Sequence, residues 1–246
     1  MIFVIVLIIT AVRIKSMDSH RISGRILAEN IAGPGMMRLV EQSMQAQAQK
    51  TSVTEIAVKE WKHPQAALTF DDGPDIRYTP LLLDGLKERN VRVSFFLLGE
   101  KVEQYPELVE RMQKEGHLVG NHTYHHVQLN KLNETKAREE ILKTNNLIYE
   151  TTGVYPLYLR PPFGAWKKNL ELCVEMLPVF WTIDTLDWKV KNTEKIVRTV
   201  KEQIEDGAII LMHDEYDTSV EAALQVVDEL KNQGYELVTV DQLILP

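Results

Sequence analysis

Four residues between positions 71 and 126 could together build a metal-dependent hydrolytic site. Asp71 and Asp72 are adjacent carboxylates that stand directly before a Gly-Pro pair. His122 and His126 are four positions apart, so their imidazoles can share one face of a turn or a helix. One carboxylate and two imidazoles form a three-ligand set that leaves positions open for water and substrate, as catalytic zinc sites do. The second carboxylate would then be placed to act as general base for that water.

Each pair also has an ordinary explanation. An acidic pair before Gly-Pro could simply form a turn, although adjacent like charges repel each other unless a cation relieves them. The histidines could belong to a His-rich surface loop, since His125 lies between them. The spacing favours His122 and His126 as the co-ligands, with His125 facing elsewhere. The occurrence of both pairs in one chain favours the metal site over two unrelated loops.

Arg160 is a candidate partner for the carboxylate pair. It follows an apolar run and precedes Pro161 and Pro162, which stiffen the loop and place the guanidinium firmly. A guanidinium beside Asp71 would orient that carboxylate through charge-assisted hydrogen bonds. A structural arginine on a proline-rich turn is the alternative interpretation.

The second half of the chain adds an aspartate, an indole and a histidine. Asp187 and Trp188 follow another apolar run, and an exposed indole face suits the apolar face of a sugar ring. His213 ends the next run, where a lone histidine is usually a satisfied core residue. A carboxylate from Asp187 could instead hold His213 in its cationic form, which would make it a general acid. Trp166 and Trp181 are interpreted as packing residues.

Composition limits the class of protein. The 246 residues are 44% hydrophobic and 26% charged, which is typical of a soluble globular fold with a real core. The net charge of -7 gives no sign of a nucleic-acid partner, because phosphate contacts need positive patches. The single cysteine, Cys173, excludes an internal disulfide and a thiolate metal cluster and is interpreted as a buried, inert thiol.

The first 60 residues differ from the rest. Residues 1–12 are apolar except Thr10, but a helix that spans a bilayer needs about 20 apolar residues. We interpret them as the remnant of a signal or membrane anchor, with a buried strand as the alternative. This interpretation favours an extracellular or cell-surface protein with a membrane tether. Residues 13–60 are interpreted as a linker with one helix and no assignable chemistry, and residues 61–246 as the functional domain.

From Trp61 onward, apolar runs typical of strands alternate with helical patterns. The strands are expected at Ala66–Phe70, Val91–Leu98, His117–Asn121, Pro156–Leu159, Val179–Ile183, Ala208–Met212 and Leu237–Val240. The helices are expected at Pro80–Arg89, Pro106–Glu115, Asn133–Thr152, Lys167–Met176, Thr193–Glu205 and Ser219–Asn232. This alternation predicts an α/β fold with a parallel sheet, and the number of repeats favours a barrel over an open sheet.

The polar clusters share one position in this pattern, because each follows an apolar strand. They are Asp71 and Asp72, His122, Arg160, Asp184 and Asp187, and His213 and Asp214. In β/α barrels the C-terminal ends of the strands carry the catalytic residues. We therefore expect these side chains to meet at one rim.

From about residue 66 to its C-terminus, the chain resembles the polysaccharide deacetylases with the NodB-homology domain, carbohydrate esterase family four. Five segments in the family's order carry the resemblance: Thr69–Pro74, His122–His126, Arg160–Gly164, Asp184–Trp188 and Leu211–His213. The resemblance implies a distorted (β/α) barrel with a parallel β-sheet core. It also implies hydrolysis of N-acetyl groups from amino sugars.

The resemblance assigns a metal site and a base. By position, Asp72, His122 and His126 would hold the metal, and Asp71 would be the base that activates a water there. Arg160 would tether Asp71. Zinc suits two imidazoles and one carboxylate, and cobalt or manganese would suit them too.

The resemblance also assigns an acid and the residues that meet the substrate. Asp187 would tune His213, which would protonate the leaving amine. The backbone N–H of Phe163 would help to stabilise the oxyanion. Trp188 and Leu211 would line the acetyl pocket.

The substrate class follows in part from Asp72. Some relatives that act on muramic acid lack the metal carboxylate of the first segment, so its presence favours an N-acetylglucosamine deacetylase of peptidoglycan or chitin type. The partner would be an acetylated amino-sugar polymer, and the oligomeric state stays open. Two alternatives remain, an O-acetyl esterase acting on xylan or chitin fragments and a catalytically inactive carbohydrate-binding homologue.

Overall fold

The computed structural model describes residues 63–166 and 176–244. The expectations for residues 1–12 and 13–60, for Cys173 and for nearly all of the helix at Lys167–Met176 lie outside the described residues. None of the described helices combines the length and the apolar composition that a membrane span requires.

The described residues form eight strands and eight α-helices. The strands are β1 Gln65–Asp71, β2 Ser94–Leu97, β3 Leu118–Asn121, β4 Tyr158–Leu159, β5 Leu177–Pro178, β6 Ile183–Asp184, β7 Ala208–His213 and β8 Glu236–Leu237. The helices are α1 Tyr78–Glu88, α2 Gly99–Gln104, α3 Pro106–Lys114, α4 Glu134–Thr152, α5 Asp187–Val190, α6 Thr193–Gln203, α7 Asp217–Asn232 and α8 Val240–Ile244. Two short 3-10 turns lie at Leu129–Lys131 and Pro162–Gly164.

One parallel sheet contains all eight strands. Its order is β5-β4-β3-β2-β1-β7-β6, with β8 paired to β1, and each of these pairs is parallel. In the part of the chain that is described, β5 and β6 stand at opposite ends of this order. The predicted α/β fold with a distorted barrel is confirmed, in the form of a curled half-barrel.

The central strand shows why the chain folds this way. All seven residues of β1 are buried. Leu68 and Phe70 belong to the main core cluster, and Phe70 stacks on Phe95 of β2 at 5.4 Å between ring centroids. Ala67 packs into a second cluster on another side of the strand. A strand that is buried on both faces reads as a continuous apolar run, which is the pattern of parallel sheets.

Helix α4 matches its prediction closely because both of its ends carry capping signals. The side chain of Asn133 accepts a hydrogen bond from the backbone N–H of Lys136. Gly153 ends the helix in the left-handed conformation at φ 73°, which glycine adopts without the steric cost of a Cβ.

The predicted strands Val91–Leu98 and Pro156–Leu159 are shorter in the structure, as β2 and β4, and two further predicted strands were also wrong in their extent. The run Val179–Ile183 lies mostly between β5 and β6, so a single expected strand is replaced by two short flanking ones. At Leu237–Val240 the strand ends at Leu237, and α8 begins at Val240. The reason is local, because the side chain of Gln242 accepts the backbone N–H of Thr239 at 3.2 Å, as in a capping box.

His117 lies directly before β3 and has a structural role. Its side chain is 6% exposed, and its Nδ1 accepts the backbone N–H of Val93 at 3.1 Å. Burial lowers the pKa of His117 to about 4. The folded protein therefore holds this imidazole neutral at pH values where the unfolded chain takes up a proton.

This burial predicts a loss of stability in acid. A histidine with a depressed folded pKa contributes stability above its unfolded pKa of about 6.5, and the contribution is lost as the pH falls towards 4. Between pH 7 and pH 4 we expect His117 to account for a loss of about 3 kcal/mol in the free energy of unfolding. Urea unfolding at both pH values should show a shallower dependence for His117→Asn. The exposed His63, changed to asparagine, is the control that should keep the wild-type dependence. An unchanged pH dependence in His117→Asn would show that the expectation is wrong.

Candidate active site

The strand register brings the candidate residues to one edge of the sheet. Asp71 at the end of β1 is in register with His213 at the end of β7. Asn121, which precedes His122, pairs with Leu159, which precedes Arg160. Because parallel strands end at the same edge, residues from distant parts of the chain meet there.

The backbone turns sharply between the two adjacent carboxylates. Asp71 is still in the strand and buried, whereas Asp72 has φ 70°, in the left-handed region. Gly73 follows where a side chain would not fit, since a Cβ there would come within 2.5 Å of Asp214 Oδ1. The tight turn therefore gives each carboxylate its own environment.

The two histidines lie on an irregular loop rather than on a helix. Thr123 and His126 both have left-handed backbone conformations, at φ 66° and 55°. His122 is buried, and its Nδ1 lies 2.6 Å from the carbonyl oxygen of Arg160. A carbonyl only accepts, so Nδ1 carries the proton and the lone pair of Nε2 is free to bind a ligand. Of the two geometries expected for this segment, the helix is not observed.

The carboxylate of Asp72 and the two imidazoles meet at one point. The Nε2 atoms of His122 and His126 each lie 3.4 Å from Asp72 Oδ1. One ligand atom from each residue lies within 4.8 Å of the other two. Asp72 Oδ1 is buried and has no hydrogen-bond partner among the described residues, which is costly unless another group satisfies it. These three residues fit a divalent cation.

The electrostatics of Asp72 and His126 are consistent with this fit. Burial alone would raise the pKa of Asp72, but the close approach of His122, followed by the charges of His126 and His213, holds it below its ordinary value. Burial lowers the pKa of His126. An ionised carboxylate and a neutral imidazole are the forms that bind a metal.

Asp71 is held by Arg160. The Nη1 of Arg160 donates to Asp71 Oδ1 at 2.8 Å and lies 2.6 Å from Thr69 Oγ1. Its guanidinium is fully buried and packs over the ring of Phe96 at 4.2 Å. The other oxygen of Asp71 lies 3.7 Å from His122 Nε2, so this carboxylate faces the candidate metal ligands.

His213 is held by Asp187 through two contacts. The backbone N–H of His213 donates to Asp187 Oδ2 at 2.8 Å, and Nδ1 lies 2.7 Å from Oδ1. This leaves Nε2 on the side of the candidate metal ligands, 3.9 Å from Asp72 Oδ2. Burial alone would lower the pKa of His213, but the hydrogen bond and charge of Asp187, with the charges of Asp71 and Asp72, raise it to about 9.

The expected substrate-binding residues differ in exposure. Phe163 is 62% exposed, and its ring centroid lies 4.5 Å from that of His126. Trp188 is 48% exposed, whereas Leu211 is buried within β7. Two apolar rings thus stand open to solvent on segments that follow the strands. Trp166 packs against a core cluster, in keeping with its expected packing role.

Three further residues make contacts that we did not anticipate from the sequence. Thr69 shares the guanidinium of Arg160 with Asp71, and its place two residues earlier on the same strand is a signal that could have indicated this. Asp214 is fully buried against Thr79, and burial raises its pKa to about 7. Glu140, in the middle of α4, reaches the histidine loop, and the sequence carries no signal for that contact.

Comparison with protein families gives a match over residues 59–179 to the family described as polysaccharide deacetylase. The peptidoglycan-N-acetylglucosamine deacetylase PgdA of Listeria monocytogenes is 43% identical over 177 residues, which are 72% of this chain and 38% of the relative. The peptidoglycan-N-acetylglucosamine deacetylase of Bacillus cereus is 40% identical over 186 residues, covering 73% of this chain and 68% of the relative.

A third relative is similar to this chain both in sequence and in its solved structure. PdaC of Bacillus subtilis, named a peptidoglycan-N-acetylmuramic acid deacetylase, is 43% identical over 177 residues, or 72% of this chain and 38% of the relative. Its solved structure superimposes with a TM-score of 0.72 and 42% identity, covering 74% of this chain and 91% of that chain. The present chain therefore spans well under half the length of the PgdA and PdaC proteins.

Proposed function

The chain belongs to the polysaccharide deacetylase family, and from this premise we propose that it is a metal-dependent hydrolase that removes N-acetyl groups from a cell-wall polysaccharide. The main support is the meeting of three kinds of group at one edge of the sheet. These are a cation site, a carboxylate held by an arginine, and a histidine held by an aspartate. A hydrolase of acetamides needs an activated water, a base and an acid, and these groups can supply them.

Asp72, His122 and His126 would hold the metal, one ion per site. Zinc is the proposed metal, and cobalt or manganese would also suit two nitrogen ligands and one oxygen ligand. When bound, such an ion would polarise the acetyl carbonyl and lower the pKa of a water.

Asp71 would accept the proton from the attacking water. Its Oδ1 is engaged by Arg160, so Oδ2 is the oxygen that faces the candidate ligands. Because Arg160 is fully buried and also bound to Thr69, it limits the orientations that the carboxylate can adopt. A base that is held in place loses less entropy when the reaction begins.

His213 would donate a proton to the departing amine. Its Nδ1 is bound to Asp187, so the proton available to the substrate is the one on Nε2. The backbone N–H of Phe163 would stabilise negative charge on the carbonyl oxygen. Trp188 and Leu211 would line the space for the acetyl group.

The proposed substrate is an N-acetylglucosamine unit of peptidoglycan or of chitin oligomers. The metal carboxylate Asp72 favours this choice over muramic acid, while relatives named for either sugar are similar to this chain. The partner is thus an acetylated amino-sugar polymer, and the proposed location is the cell surface or the extracellular space, with residues 1–12 as the proposed tether.

Acetate release tests the proposal. We expect release from N-acetylglucosamine oligomers and from peptidoglycan, its loss after treatment with a chelator, and its return on adding zinc, cobalt or manganese. Acetylxylan serves as the comparison substrate, because an O-acetyl esterase would prefer it. Release that does not depend on metal, or no release with any of the three metals, would contradict the mechanism.

A further inference from the structure

The segment that joins the two histidine ligands is bound to helix α4 through one side chain. Oε2 of Glu140 accepts the backbone N–H of Tyr124 at 3.0 Å and that of His125 at 2.9 Å. Its Oε1 lies 2.8 Å from His125 Nδ1. The side chain of Glu140 is only 16% exposed, so these contacts are largely shielded from solvent.

The opposite side of the same segment is bound to helix α2. The backbone N–H of Gly99 donates to the carbonyl of Thr123 at 2.9 Å, and that of Glu100 donates to the carbonyl of Tyr124 at 3.3 Å. The first N–H groups of a helix have no intrahelical acceptor, so they are free to bind the loop. The peptide groups Thr123–Tyr124 and Tyr124–His125 are therefore each bound through both C=O and N–H. Glu140 is the acceptor for the two N–H groups.

This support matters because the loop has an unfavourable backbone conformation. Thr123 and His126 are both left-handed, which costs about 1–3 kcal/mol for each non-glycine residue and persists only where the surroundings enforce it. His122 is fixed independently, since its Nδ1 is bound to the carbonyl of Arg160. The position of His126 relative to His122 therefore depends on the intervening peptide groups.

We propose that Glu140 is a positioning residue that sets the metal affinity of the site by fixing the loop between His122 and His126. It acts through the loop and does not touch the metal or the substrate. This inference rests on the proposed function in one respect, which is that His122 and His126 are metal ligands.

The backbone contacts, rather than the pair with His125, should carry the effect. The imidazole of His125 is well exposed, and exposed ion pairs contribute little because solvent screens them. Hydrogen bonds from backbone N–H groups to a shielded carboxylate are stronger. Removal of the His125 imidazole should therefore change the site much less than removal of the Glu140 carboxylate.

The experiment measures Zn²⁺ affinity by competition with a chromophoric chelator. Glu140→Ala removes the acceptor, and we expect the dissociation constant to rise about 10-fold or more, as for other groups that orient metal ligands. Glu140→Gln keeps an oxygen that can accept both N–H groups, so its dissociation constant should stay within about 3-fold of wild type. His125→Ala and Glu139→Ala, a change at an exposed position of the same helix, should also stay within about 3-fold.

The outcomes separate this inference from the proposed function. Glu140→Ala with wild-type zinc affinity would overturn the inference and leave the function intact. A wild-type protein that binds none of the three metals would instead overturn the function. If circular dichroism shows that Glu140→Ala does not fold, the zinc affinity of Glu140→Asp is measured instead. This variant keeps the negative charge, but its side chain is one methylene shorter, so the carboxylate lies farther from the loop. A rise of about 3-fold or more in its dissociation constant supports the inference, and wild-type affinity overturns it.

Discussion

Changing Asp71 to asparagine is expected to lower kcat for deacetylation by about 10²–10⁴-fold, the contribution of a positioned general base, while the protein still binds its metal. Asparagine has nearly the same shape as aspartate and can still accept a hydrogen bond from Arg160, but its amide cannot take a proton from water at neutral pH. The measurement is acetate release together with the metal content of the purified variant.

The matched variant is Asp72→Asn at the neighbouring position. Because Asp72 is the proposed ligand, we expect it to lose metal as well as activity, so the two variants should differ in metal content. A fully active Asp71→Asn would refute the assignment of the base. An Asp72→Asn variant that keeps both metal and rate would refute the assignment of the ligand.

The folding of Asp71→Asn needs its own check. Arg160 is fully buried and ion-paired with Asp71, and loss of one partner of a buried pair costs about 3–5 kcal/mol. Circular dichroism at the assay temperature shows whether the variant is folded. If the folded variant still binds metal, its loss of rate is due to the chemical step and not to unfolding or to loss of the ion.

Changing His213 to glutamine is expected to have an effect that depends on the leaving group. An amine leaves poorly unless it is protonated, so turnover of the N-acetyl sugar should fall about 10²–10⁴-fold. A phenolate leaves without protonation, so the hydrolysis of an aryl acetate should fall by less than about 10-fold. The comparison is between kcat/KM values of the same variant on the two substrates.

Asp187→Asn provides the graded control for this prediction. It removes the charge that faces His213 while an amide oxygen can still accept from Nδ1. We expect the same preference for the aryl ester, with a smaller loss on the amide. Equal losses on both substrates in His213→Gln would show that the histidine does not act on the leaving group.

The sequence predicts well that the candidate site residues meet at one edge, because the geometry of a parallel sheet allows few alternatives. Apolar runs that alternate with helices predict a parallel sheet, and the ends of parallel strands share one edge. Asp71 and His213, 142 positions apart, are neighbours in register for that reason. The period of two along β1 would also have placed Thr69 on the same face as Asp71.

Other features depend on contacts that no local pattern records. Glu140 is one of several acidic residues on α4, and only the packing of that helix against the histidine loop distinguishes it from Glu139. The run Val179–Ile183 has the composition of a strand, yet strand pairing occurs at its flanks. The start of α8 is different, because Thr239 and Gln242 form a capping pattern that can be read from the sequence.

The reach of Arg160 carries a consequence for the shape of the sheet. Arg160 follows β4, whereas its partners Thr69 and Asp71 lie on β1, and β3 and β2 stand between them. In a flat sheet three strand spacings amount to roughly 14 Å, which is longer than an arginine side chain. The sheet is therefore curved, and the side chain of Arg160 crosses its concave side. The guanidinium packs over the ring of Phe96. A variant that flattens the sheet would therefore move the guanidinium of Arg160 away from the carboxylate of Asp71. The orientation of the proposed base thus depends on the curvature of the sheet.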